Sequence, residues 1–83
     1  MDKKQLRRLC DLASRKMNKG SYDEALGIVN QMKNLGSHYL ISHAVGALLI
    51  NIGIALEKID MIEEGKQLIL KDLEKIFSLE NRI

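Results

Sequence analysis

Between Tyr39 and Leu56 the chain runs for 18 residues without a charged side chain. In a sequence of 83 residues of which 29% are charged, such a stretch has to leave water on nearly every side. A bilayer core would do this, since a span needs about 20 apolar residues. Ser42, His43 and Asn51 would then lie within the span, and its flanks lack aromatic anchors and a clear basic cluster. A central helix, covered on both flanks by other helices or by a partner, meets the same requirement without those costs. The expectation is a central helix, with no membrane partner.

The rest of the chain agrees with helix. There is no proline and no strand-type alternation, so only glycine and capping chemistry interrupt. Leu6, Leu9, Cys10, Ala13 and Met17 fall on one face of a first helix, with Asp2 as its N-cap and Gly20 as its stop. Ser21 and Glu24 have capping-box spacing and begin a second helix striped by Tyr22, Ala25, Leu26, Val29 and Met32, closed by Gly36. Ser37 is the expected cap of the third helix, which should reach Lys58 or Ile59. Asp60 with Glu63 is the expected start of the fourth, whose stripe is Ile62, Gly65, Ile69, Leu73 and Ile76, flanked by Leu68 and Phe77. Links this short force antiparallel neighbours. The predicted fold is all-α: one domain over residues 1–83, made of two helical hairpins at about 2–35 and 37–80.

A single small core buries only about 60–65% of the unfolded surface, so such a domain is marginally stable without a disulfide, a metal or a partner. Cys10 is the only cysteine, which rules out an internal disulfide and fits a reducing compartment. Asp11 and Arg15 interrupt what would be the apolar segment of an export signal. A cytoplasmic protein is expected.

Chemistry-bearing constellations are missing. His38 and His43 stand five apart, on different faces of a helix and without a cysteine or carboxylate at metal-ligand spacing. Cys10 lies on an apolar stripe with no base in a recognisable pattern. The pairs Asp23, Glu24 and Glu63, Glu64 occupy first helical turns, where the helix dipole favours carboxylates. No phosphate-binding glycine loop occurs. The expectation is neither an enzyme nor a cofactor or metal protein.

Two similar hairpins raise the question of a repeat. The run Asn18, Lys19, Gly20, Ser21, Tyr22, Asp23, Glu24, Ala25, Leu26 resembles the inter-helix turn of the tetratricopeptide-repeat family. The second hairpin resembles it through Asn51, Ile52, Gly53, Ala55, Leu56, Ile62, Glu64 and Gly65. In this resemblance Gly53 lets two helices cross closely, and Gly65 stands where the family usually has alanine. The resemblance implies a short α-solenoid whose concave surface is lined by the first helix of each hairpin. By position these are Arg7, Cys10, Ser14 and Met17, then Ala47, Ile50, Asn51, Ile54, Glu57 and Lys58. Such a groove suits an amphipathic helix. In size and repeat number the chain also resembles the small co-chaperones that hold needle subunits of type III secretion systems. Because repeats bury their faces only by stacking, two units without a cap imply a covering partner, either another protein or a second copy.

The charge distribution supports one alternative. Residues 1–20 hold seven of the 13 Lys and Arg but only two of the 11 acidic residues. A basic first helix carrying Lys3, Lys4, Arg7, Arg8, Arg15, Lys16 and Lys19 is the footprint of a nucleic-acid binder. Against it, Gly20, Ser21, Tyr22 does not resemble the turn of a helix-turn-helix, and base-reading Asn and Gln are few there. Nucleic acid is therefore the lesser expectation.

Overall fold

The computed structural model describes residues 2–36 and 38–81, with side chains for all of these except 72 and 75–81. Four helices follow in order: α1 (Lys3–Asn18), α2 (Tyr22–Lys33), α3 (Tyr39–Leu56) and α4 (Ile59–Asn81). α1 packs on α2 and α3 on α4, while α3 also packs on α2 and more lightly on α1. The all-α fold with paired hairpins is thus what the sequence predicts, and α3 is its shared wall. By length and composition α3 is apolar enough to cross a membrane. In this fold its apolar residues are divided between neighbours: Ile41, Val45, Leu48, Leu49 and Ile52 enter the core with Leu6, Ala13, Ala25, Ile28, Val29 and Met32.

The turns show which local signals the fold uses. Asp2 caps α1 as predicted, its Oδ1 accepting from the amides of Lys4 at 3.0 Å and Gln5 at 3.2 Å. Gly20 closes α1 at φ 78°. Its amide donates to Met17 O and the next amide, Ser21, to Lys16 O, both at 2.9 Å, the paired bonds of a Schellman ending.

Four expectations are corrected. Ser21 occupies the N-cap of α2 but its side chain makes no capping bond, and Glu24 pairs with Lys16 at 2.7 Å instead, so no capping box closes. Ser37 lies outside the described residues, and the cap of α3 is His38, whose Nδ1 accepts from Leu40 N at 3.2 Å. α3 ends at Leu56 and α4 already begins at Ile59, so Lys58 and Ile59 do not extend α3, and Asp60 lies in the first turn of α4 instead of capping it.

The early end of α3 has a local cause. Lys58 N donates to Gly53 O at 2.8 Å and Glu57 N to Ile54 O at 3.3 Å, a second Schellman ending with Glu57 at the left-handed position, φ 56°. A side chain there is strained where glycine would not be. Replacing Glu57 by Gly is expected to raise stability by about 0.5–1 kcal/mol, read as a higher urea midpoint with unchanged slope. A lower midpoint would show that Glu57 makes a compensating interaction.

α3 and α4 meet through glycine. A Cβ on Gly46 would lie 2.8 Å from Gly65 O, one on Gly65 2.5 Å from Gly46 O, and one on Gly53 3.0 Å from Ile62 N. The close crossing expected at Gly53 is present, and Gly46 and Gly65 extend it. This contact fixes the rotation of α4, placing Ile62, Gly65 and Ile69 against α3. Lys33 of α2 reaches Glu64 of α4 at 2.9 Å, an exposed pair worth about 0–1 kcal/mol.

Candidate partner-binding surface

The surroundings of each helix assign its faces. On α1, Lys16 pairs with Glu24 of α2, so this side of the helix faces α2. Cys10 and Met17 are half-buried and pack on the core; the helical turn sets them on the opposite flank from Lys16, beside α3. One row further out, three and four residues from Cys10, stand Arg7 and Ser14, both exposed. On α3, Gly46 and Gly53 face α4, and so does Ile50, whose Cγ1 would be 2.8 Å from a Cβ on Gly65. Leu40 and Ala44 pack on the core cluster. What remains outward is a strip of His43, Ala47, Asn51 and Ile54, spaced as one helical face.

The predicted groove residues are therefore divided. Arg7 and Ser14 are exposed on α1, and Asn51 and Ile54 are exposed on α3 beside the half-buried Ala47. Cys10 and Met17 are partly covered by the core. Ile50 is turned into the seam between α3 and α4. Glu57 and Lys58 lie in the turn between those helices, exposed, beside an open hollow of about 600 Å³ bordered also by Ile59, Asp60 and Met61.

Sequence reasoning missed the apolar bank on α4. Ile54 is 61% exposed, Ile59 72%, Leu70 49% and Leu73 44%, while Met61 and Leu68 take the core-facing side. Leu73, expected on the packed stripe with Ile69, is half open to solvent. Ile76 and Phe77, expected to continue that stripe, lie outside the residues whose side chains are described. The missed signal was present: Ile59, Ile62, Lys66, Leu70 and Leu73 have the spacing of a face adjoining the packed one. With every position of α4 near enough to one apolar stripe or the other, spacing alone did not decide which stripe was covered.

The outward side of α1 is basic. Lys3, Lys4, Arg7, Arg8 and Arg15, with Asp11, line an open groove of about 370 Å³. Among the described residues none of these five cations forms an ion pair; Arg15 Nε donates to the carbonyl of Asp11 at 3.4 Å. Glu24 is held below the usual carboxylate range, first by its hydrogen bond to Lys16 and then by that charge. Burial, followed by the neighbouring Asp11, pushes the Cys10 thiol up, so it stays protonated at neutral pH and is a poor nucleophile. No group of three or more His, Cys, Asp or Glu able to hold a metal occurs among the described residues.

No protein-family model, curated protein or solved structure matches this chain.

Proposed function

We propose that this protein binds another protein chain, receiving a helix on the open face of its second hairpin, and acts as a small adaptor or chaperone in the cytoplasm. The observation that carries the reading is the set of Ile54, Ile59, Leu70 and Leu73, all at least 44% exposed on neighbouring helices. Apolar side chains gathered on one side of a small chain mark an interaction site more often than scattered ones do. Stacked hairpins bury such faces only against a neighbouring unit. The resemblance of residues 18–26 to a tetratricopeptide-repeat turn supports a stacked-repeat reading of the same geometry. The match in size and repeat number to needle-subunit co-chaperones gives that reading its most specific form, the shielding of a polymerising helical subunit.

The test is a pair of substitutions. Ile54→Asp alters an exposed residue and is expected to change stability by no more than about 0.5 kcal/mol, while abolishing self-association or complex formation in sedimentation runs on the chain purified from its own host. Ile50→Asp places a charge in the seam beside Gly65 and is expected to destabilise by about 3 kcal/mol or more. A wild-type chain that sediments as a compact monomer with nothing bound would sink the reading.

A second reading rests on the five cations of α1, which supply the sequence-independent part of nucleic-acid binding. It leaves the apolar bank of α4 unexplained.

A further inference from the structure

The partner-binding reading leaves the chemistry of the partner open, and the charges around the strip constrain it. The outward strip of α3, His43, Ala47, Asn51 and Ile54, carries no carboxylate. The bank on the α1 side is set by Arg7, with Lys3 one turn before it in the same row, and Lys4, Arg8 and Arg15 lie round the same helix with a single carboxylate, Asp11, among them. A helix is about 10–12 Å across, comparable with the screening length of about 10 Å at 0.1 M salt, so Arg7 and Lys3, on the near side of α1, act on a chain seated there more strongly than the three cations beyond them. The α4 bank differs. It is apolar at Ile59, Leu70 and Leu73, and its Lys66 is matched by Glu63 at 3.4 Å, which leaves that side near neutral.

From this juxtaposition we infer that the strip receives an acidic amphipathic helix, oriented with its apolar stripe toward Ile54 and α4 and its carboxylates toward Arg7 and Lys3 of α1. The inference rests on the partner-binding reading and adds the sign of the charge and the orientation. A basic helix would meet uncompensated cations along one bank, and like-charge juxtaposition selects against a partner as effectively as contact selects for one. A polyanion without an apolar face would satisfy α1 and leave the bank of α4 uncovered.

The test uses the full chain and three fluorescent probes: an amphipathic helical peptide with a Leu stripe and Glu flanks, the same stripe with Lys flanks, and a short DNA duplex. Anisotropy titrations are expected to show the Glu peptide binding at least tenfold tighter than the Lys peptide at about 50 mM salt, a preference that shrinks as salt is raised. Arg7→Glu combined with Lys3→Glu should erase the preference without moving the thermal midpoint, because both side chains are exposed and unpaired among the described residues. Ile54→Asp should weaken both peptides. Equal binding of the two peptides would overturn the charge selection and leave the partner-binding reading intact. A preference that survives the double reversal would overturn the placement at α1. Binding of the duplex alone, or of no probe, would overturn both.

Discussion

Gly65→Ala is expected to cost about 3 kcal/mol or more, a large share of the total of about 4–12 kcal/mol that a domain of this length holds. The new methyl would sit 2.5 Å from Gly46 O, 2.8 Å from Ile50 Cγ1 and 3.1 Å from Ile50 N. Two of those three atoms are backbone, so no rotamer change relieves the contact and the helices must separate. Overpacking of a rigid site costs about 1–3 kcal/mol, occasionally more, and separation also uncovers Ile62 and Ile69. The gain from replacing a mid-helix glycine, about 1 kcal/mol, offsets only part of this. Gly27 supplies the control: it is exposed in α2 and a Cβ there meets nothing within 4 Å. Gly27→Ala should therefore raise the urea midpoint while Gly65→Ala lowers it. If both variants move the midpoint in the same direction, α3 and α4 do not cross as closely as described.

The second large effect is at Ile52, which is fully buried together with Val29 and Met32 of α2. Ile52→Ala is expected to destabilise by about 2–5 kcal/mol, from lost transfer energy and the cavity left behind. The lower end requires the core to collapse into the gap. The fold opposes that, since α3 is held on one side by α2 and on the other by its glycine contact with α4. Leu70→Ala, at a residue 49% exposed, removes a similar volume and should cost under about 1 kcal/mol. Equal losses for the two, measured by thermal melting, would mean that α3 does not form the wall between the hairpins.

These contrasts separate residues that look alike in sequence. Ile50, Ile52 and Ile54 lie within one helical turn and a half, all in the uncharged run. One is wedged against Gly65, one is core and one is 61% exposed. A helix apolar on every side has almost no amphipathic direction, so periodicity cannot orient it. α1 is the opposite case: its Leu6, Ala13 face and its basic face are separated by spacing alone, and both are found where the spacing put them.

The candidate surface was legible to the same uneven degree. Arg7, Ser14, Asn51 and Ile54 were singled out and are exposed, whereas Ile50 was counted as groove and is turned into the seam. Ile59, Leu70 and Leu73 were not singled out as surface at all. Their exposure depends on the rotation of α4 about its axis, which is decided by where Gly46, Gly53 and Gly65 allow backbones to touch.

The signals legible in the sequence are local: four helices from apolar spacing without proline, the stop at Gly20, the cap at Asp2, the antiparallel hairpins implied by short links, and the division of charge between the first helix and the rest. Each follows from interactions within a few residues of chain. Tertiary packing alone sets which apolar faces are paired and which are left open. That choice depends on contacts between residues far apart, such as Gly46 with Gly65 and Lys33 with Glu64. It changes the meaning of the uncharged run, whose length required burial. The packing of α1, α2 and α4 provides that burial on three sides and leaves the fourth, with Ile54 at its edge, open.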